Sequence, residues 1–192
     1  MTAVVALLRG VNVGGHRKVP SADLRAVAEQ AGFTDVVTLL NSGNVVVVAP
    51  EALVDDAPHL ATAQVSAAIN AGILSRLGLD VHVVAVSAAA LDEAVAANPF
   101  PEAARSDPSH LLVTFGADPP DEERIRAFDH SAFPEKLAWV GGVGYTYFPQ
   151  GVGTSRLTPA VLKRELGTDG TEGTSRNWNT VLKLQALAAA RA

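Results

Sequence analysis

Two hydrophobic patterns alternate along this chain of 192 residues, and their order constrains the fold more than any other feature. In the first half, short apolar runs typical of strands lie at 3–9, 35–41, 44–49 and 81–86. Apolar residues at helical spacing fill 21–31 and 59–77. The order is β-α-β-β-α-β, which is that of the split βαβ or ferredoxin-like unit.

The second half repeats this order in a different sequence. Strand patterns lie at 110–115, 137–140, 145–148 and 173–175. Helical patterns lie at 89–97, 121–130 and 159–166, and Asn177 begins a closing helix that runs to about residue 190. We therefore predict an α+β protein of two tandem ferredoxin-like (α/β-plait) units with a C-terminal helix. The predicted division is a first unit at 1–87, a bridging helix and linker at 88–108, and a second unit at 109–192. A single mixed sheet is the alternative.

The composition excludes several chemistries. The chain has no cysteine, so a disulfide framework, a thiolate nucleophile, an iron–sulfur cluster and a cysteine-based zinc site are impossible. The five histidines show no i, i+4 pair and no carboxylate at ligand spacing, so we expect neither a metal nor a cofactor. No apolar stretch reaches the roughly 18 residues that a membrane span requires, and we expect a cytoplasmic protein with no membrane partner.

Charge is unevenly distributed along the chain. The formal net charge is −5, yet residues 1–20 and 150–192 each carry +3, and the middle of the chain carries −11. A net negative chain is not a general nucleic-acid binder, but two basic ends that met in the fold would attract an anionic ligand. Solvated charge on helix faces is the structural alternative. We predict that Arg9 and Arg176 face one shared cavity.

The loop that follows the first strand combines glycines with cations. Gly10 and Gly15 have the spacing of the two glycines of a P-loop, but His16 and Arg17 stand where a P-loop has Lys and Ser or Thr. The P-loop and dinucleotide-binding interpretations therefore fail, and a tight structural connection is the alternative to ligand binding. The candidate ligand-binding residues of this loop are Arg9, Asn12, Gly14, Gly15 and Lys18.

Three further segments carry similar side chains. The predicted tight hairpin at 41–44 offers Ser42 and Asn44, although turns favour both residue types for structural reasons. The glycine-rich loop at 151–157 could hold an oxyanion; it is not a nucleophile elbow, because Ser155 lacks the second glycine. The segment at 173–180 opens a helix, where capping by Asn177 and core packing of Trp178 are the structural alternatives. The candidates from these last two segments and the following helix are Ser155, Arg156, Thr174, Arg176, Asn177 and Lys183.

The chain resembles a bacterial family known as domain of unknown function 1697. The resemblance rests on the segments at 6–15, 42–46, 98–100, 151–157 and 174–180, and on Lys183. It implies two α/β-plait units and assigns no reaction. This chain has Asn41 where the family often has Gln and Arg156 where Lys is usual, and Thr154 and Ser155 lie in a stretch that is often more basic. A role that needs a neutral lysine at position 156 is thus in doubt.

Three functions follow from these observations. The first is binding of a small anionic or phosphorylated ligand by the candidate loops. The sequence shows no assembled catalytic set, so it does not indicate whether a reaction follows binding. The second is nucleic-acid binding by the same basic residues. It is not favoured, because the third strand, 45–48, has no aromatic side chain on which a base could stack. The third is a protein-interaction module without a ligand. The sequence does not indicate an oligomeric state.

Overall fold

The chain is described by a computed structural model over residues 2–14, 16–50, 58–168 and 173–191, without the side chains of 58–60 and 130. Within these ranges it has eight β-strands, which form two four-stranded antiparallel sheets, and seven α-helices. The predicted α+β class is therefore confirmed. No helix in the described ranges is both long and apolar enough to cross a membrane.

Two compact units make up the chain. The first comprises Met1–Asp92 with Lys183–Ala192, and the second comprises Glu93–Leu182. The boundaries expected from the sequence, after residues 87 and 108, stay predictions.

The sheet of the first unit has the strand order β2-β3-β1-β4. Its elements are β1 (Thr2–Leu8), α1 (Ser21–Gln30), β2 (Thr34–Thr38), β3 (Asn44–Ala49), α2 (Pro58–Leu77) and β4 (Val83–Ser87), followed by α3 (Ala88–Ala96). Every residue of β3 is buried, and Val45 and Val47 pack in one core with Leu24 of α1 and Ile69 of α2. The loops that leave the strands thus start from a rigid base.

The sheet of the second unit has the strand order β6-β7-β5-β8. The elements from residue 101 onward are α4 (Pro101–Ser106), β5 (Leu111–Phe115), α5 (Glu122–Ala127), β6 (Lys136–Val140), β7 (Val143–Tyr147), α6 (Pro159–Leu166), β8 (Thr174–Asn177) and α7 (Trp178–Ala189). Strand β5 is central, and Val113 lies opposite Tyr145 of β7 on one side and Arg176 of β8 on the other.

Local sequence signals place several boundaries as predicted. Helix α6 has the predicted cap, since Val161 N donates to Thr158 Oγ1 at 3.3 Å, and it ends at Gly167 in the left-handed region. Gly141 and Gly142 connect β6 to β7 with positive φ angles of 57° and 79°. A two-residue connection with both residues in this region matches the twist of a hairpin.

The connection from β2 to β3 differs from the prediction. Strand β2 ends at Thr38, so the connection has five residues, Leu39 to Gly43, instead of two. Leu40 adopts a positive φ of 58° there, and Asn44 Nδ2 donates to Leu39 O at 2.8 Å. This side-chain bond closes the longer turn, and no local sequence rule specifies it.

Candidate functional site

The glycine-rich loop of the first unit is tied down by Asn12. Its Oδ1 accepts a hydrogen bond from Val19 N at 2.9 Å, and its Nδ2 donates to Val19 O at 3.1 Å and to Asn41 O at 2.5 Å. Asn12 N also donates to Arg17 O at 3.2 Å. The Asn12 amide therefore joins this loop to the β2–β3 connection, and its polar atoms are used within the protein.

The other candidates of this loop are less constrained. Lys18 is exposed and lines an open cavity of about 450 Å³ together with Asn12 and Asn41. The half-buried Arg9 side chain makes no hydrogen bond within the described part of the chain. Gly14 is exposed with a φ of 59°, and Gly15 lies outside the described residues.

Ser42 and Asn44 meet in the β2–β3 connection. Asn44 is fully buried and donates to Ser42 Oγ at 2.8 Å as well as to Leu39 O. Gly43 lies between them, and a Cβ atom there would come within 2.6 Å of Val11 Cγ2. These contacts serve the turn itself, which is the structural alternative considered for this segment.

Arg176 and Thr174 are brought together on strand β8. Arg176 is 9% exposed, and its Nη1 donates to Thr174 Oγ1 at 2.7 Å and to Ser175 O at 2.8 Å. Burial lowers the pKa of the Arg176 guanidinium to about 10, because a low-dielectric environment disfavours its charged form. The group nevertheless remains a cation at neutral pH.

Asn177 and Lys183 belong to the closing helix. Asn177 Oδ1 accepts from Thr180 N at 3.0 Å and from Thr180 Oγ1 at 2.8 Å, so it caps α7, and Trp178 is buried. Both structural alternatives for this segment are therefore realised. Lys183 is exposed and is grouped with the first unit, whereas Arg176 is in the second. Arg9 is in the first unit, and its shared cavity with Arg176 stays a prediction.

Around Ser155 and Arg156, the second unit has a cavity of about 310 Å³. We call it the Arg156 cavity; its lining residues are Pro134, Glu135, Gln150, Thr154 and Arg156. Arg156 Nη2 donates to Ala132 O at 3.3 Å. Ser155 Oγ donates to Glu135 Oε1 at 2.5 Å and accepts from Leu157 N at 2.9 Å, so it joins the glycine-rich loop to the residue that precedes β6.

Glu135 is a site residue that the sequence analysis missed. Only 5% of it is exposed, and its Oε2 is buried without a hydrogen-bond partner in the described part of the chain. A carboxylate inside a protein is costly unless it is paired, so its burial is informative. Nothing in the local sequence Pro134-Glu135-Lys136 distinguishes it from a surface glutamate.

A second missed feature is a cluster of Asp107 and His110, which precede β5, with Tyr147 of β7. His110 Nδ1 lies 2.8 Å from Asp107 Oδ2, and Tyr147 OH donates to the same oxygen at 3.3 Å. The hydrogen bond with His110 is the main reason why the pKa of Asp107 lies below its ordinary value. Desolvation and then the Asp107 charge raise the pKa of the Tyr147 phenol. Asp107 and His110 are three positions apart in the sequence, and this proximity was an available signal for their contact.

Within the described residues, no three His, Cys, Asp or Glu side chains are grouped so that they could hold a metal ion. The candidates form groups of neighbouring residues within each unit, and the Asn12 amide links the two groups of the first unit. In the first unit these are the Asn12 and Lys18 loop and the Ser42 and Asn44 turn. In the second unit they are the Arg156 cavity and the two bonded residues of β8, Thr174 and Arg176.

Comparison with known proteins identifies the family. The sequence profile described as protein of unknown function (DUF1697) matches residues 1–145, so the chain belongs to this family. Among solved structures, it is similar to the conserved bacterial protein SP0830 from Streptococcus pneumoniae, with a TM-score of 0.64 and 19% sequence identity over 97% of this chain and 98% of that one. At this identity the likeness concerns the fold alone. A search of curated proteins found no match.

Proposed function

We propose that this member of the DUF1697 family binds a small anionic ligand in the Arg156 cavity. The observation that carries the proposal is the state of the Arg156 guanidinium. It lies on the cavity wall, donates one hydrogen bond to Ala132 O, and forms no ion pair with any carboxylate in the described ranges. An exposed cation on a concave surface attracts anions.

The other groups of the cavity support an anion of limited size. A guanidinium can hold a carboxylate or a phosphate through two parallel hydrogen bonds, and the side-chain amide of Gln150 can add a donor. Thr154 Oγ1 already donates to Gln150 O at 2.7 Å, so this hydroxyl is available to a ligand as an acceptor. A volume of about 310 Å³ is at the lower end of ligand-binding cavities, which favours a small molecule over a nucleotide.

The same proposal includes a finer description of the fold and a location. We propose that both units are ferredoxin-like, and the antiparallel strand orders β2-β3-β1-β4 and β6-β7-β5-β8 support this, because each follows from a β-α-β-β-α-β element order. A cytoplasmic location is compatible with a sequence of 192 residues that contains no cysteine.

Thermal unfolding with added anions tests the proposed binding. The probes are inorganic phosphate, acetate and ribose 5-phosphate, each titrated into the wild-type protein. An anion at 100 times its dissociation constant should stabilise the protein by about 2.7 kcal/mol. Arg156→Gln should abolish the stabilisation because it removes the cation and keeps a polar side chain of moderate length. Arg126→Gln is the matched control in the same unit, since Arg126 is exposed and pairs with Glu122 at 3.5 Å.

Two outcomes would overturn this proposal. One is the absence of stabilisation by all three probes, and the other is equal stabilisation of wild type and Arg156→Gln. Salt dependence separates small-anion binding from nucleic-acid binding. An oligonucleotide that neutralised several phosphates on the protein would lose affinity steeply with added salt, whereas one small anion gives a shallow slope.

A further inference from the structure

Glu135 poses a physical problem that the proposed anion does not solve. The residue as a whole is 5% exposed, Oε1 has one neutral donor, the Ser155 hydroxyl, and Oε2 has none in the described part of the chain. A buried acceptor without a partner costs about 1–3 kcal/mol, and more for a charged group. A buried polar group of this kind in a native structure calls for an explanation, and a bound ligand is one that the cavity allows.

Glu135 and Arg156 line the same cavity with opposite charges. The two side chains form no ion pair with each other, although both belong to the described residues. An anion alone would satisfy Arg156 and would place a second negative charge near Glu135. A ligand that carries both a cationic and an anionic group avoids this repulsion and gives each of the two side chains a partner of opposite charge.

We propose that the ligand of the Arg156 cavity is a small zwitterion, whose ammonium group donates to the Glu135 carboxylate and whose anionic group binds the Arg156 guanidinium. The inference rests on the proposed function and names the class of its ligand. An ammonium is favoured over a hydroxyl because it supplies charge as well as a hydrogen bond, and the one donor already on Glu135 is a neutral hydroxyl.

Access to the Glu135 carboxylate requires a small side-chain movement. Oε2 is enclosed, but the last torsion of a glutamate is broad, so we expect a rotation of the whole carboxylate to turn one oxygen towards the ligand, with some change in the bond from Ser155. The Ser155 hydroxyl is itself oriented, because its oxygen accepts from Leu157 N. Ser155 is thus a positioning residue for Glu135.

Matched pairs of ligands test the inference by isothermal titration calorimetry. Each pair differs in the ammonium group: glycine against acetate, β-alanine against propionate, and 4-aminobutyrate against butyrate. A phosphate arm compares phosphoethanolamine with ethyl phosphate and so distinguishes a carboxylate ligand from a phosphate ligand. In at least one pair, the zwitterion should bind roughly 10-fold to 100-fold more tightly, as expected for one buried hydrogen bond to a charged group.

Two variants locate the preference within the cavity. Glu135→Gln keeps the shape of the side chain and removes its charge. The variant should therefore lose the preference for the ligand with the ammonium group and still bind the ligand that has only the anionic group. Glu123→Gln, an exposed glutamate of the same unit, is the control and should leave the preference unchanged. The preference between members of a pair is measured on wild-type protein, so the inference stays testable if Glu135→Gln fails to fold.

The outcomes separate the inference from the proposal beneath it. Equal affinity within every pair, or a preference that Glu135→Gln retains, would overturn the zwitterion and leave anion binding intact. A crystal structure with a single water on Glu135 Oε2 in the presence of glycine or phosphoethanolamine would also overturn it. Failure of every ligand, zwitterions and simple anions alike, would overturn the inference and the proposed function together.

Discussion

The two units use polar side chains in opposite ways. In the first unit the side-chain amides of Asn12 and Asn44 donate hydrogen bonds to backbone carbonyls and to the Ser42 hydroxyl. These bonds hold the glycine-rich loop and the β2–β3 connection in place. In the second unit Glu135 and Arg156 line one cavity without pairing, and His110, Asp107 and Tyr147 form a partly exposed cluster. Two sheets with equivalent strand orders therefore support turns that are tied by asparagine amides in the first unit and a cavity with two oppositely charged side chains in the second.

Substitution of Gly43 should give the largest loss of stability and thus the sharpest test of how closed the first unit is. In Gly43→Ala the Cβ would lie 2.6 Å from Val11 Cγ2 and 2.7 Å from Leu8 Cβ, at a φ of +71°. Overpacking together with the left-handed conformation should cost about 3 kcal/mol or more. Amide hydrogen exchange of β1 and β3 measures the loss.

Gly141→Ala in the second unit is the matched control for this prediction. Gly141 also has a positive φ, +57°, but no atom lies within 4 Å of its added Cβ. Only the conformational cost of roughly 1–2 kcal/mol should appear there. Equal losses at the two glycines would mean that the loops of the first unit are no more closely packed than the β6–β7 hairpin.

Substitution of the buried Asn44 and of the capping Asn177 should cost less stability than substitution of Gly43, and the two costs should differ. Asn44→Ala removes donors to Leu39 O and Ser42 Oγ at a fully buried position and should cost about 2–3 kcal/mol. Asn177→Ala removes the cap of α7 and should cost about 1 kcal/mol, because water can replace part of a capping bond. Urea unfolding of both variants against wild type provides the comparison. A cost at Asn177 that equalled or exceeded the one at Asn44 would contradict it.

The smallest effect concerns pH and the His110 cluster. The pKa of Asp107 is lowered in the fold, so its ionised form favours folding above its ordinary pKa of 3.8, and that stabilisation is lost as the pH falls through the lowered value. His110→Ala removes the main cause, so the pKa of Asp107 should rise and acid unfolding should begin at a higher pH. Carbon NMR of the Asp107 carboxyl group during an acid titration measures the first effect.

His82→Ala is the control for the pH prediction. His82 is an exposed histidine of the first unit that makes no side-chain hydrogen bond in the described ranges, so its removal should leave the acid-unfolding curve unchanged. An Asp107 that titrated identically in wild type and His110→Ala would show that the contact with His110 does not form in solution.

Prediction from the sequence succeeded where local chemistry decides the structure. Helix α6 has its boundaries at the predicted residues because Thr158, Pro159 and Gly167 each favour one position at a helix end. Prediction failed at the β2–β3 connection, which has five residues instead of two and contains a bond from Asn44 Nδ2 to Leu39 O. That bond involves the side chain of the following strand, so the preferences of the turn residues alone could not indicate it.

The candidate site was predictable to the same extent. Ser155 and Arg156 were found because glycines, hydroxyls and a cation are adjacent in one loop. Glu135 lies twenty residues earlier in the chain and reaches Ser155 through tertiary contact alone. Asp107 and His110 are close in sequence in the segment before β5, but Tyr147 reaches Asp107 from strand β7.

By itself, the sequence determined the α+β class, the order of the elements and which residues form the loops with basic side chains. Apolar periodicity and turn chemistry act within a few residues, so they can be recognised in the sequence. Only the tertiary structure decided which polar groups make hydrogen bonds within the protein and which do not. That outcome depends on atoms brought together from distant segments, as the Ser155 hydroxyl is with one Glu135 oxygen while the other stays without a partner in the described part of the chain.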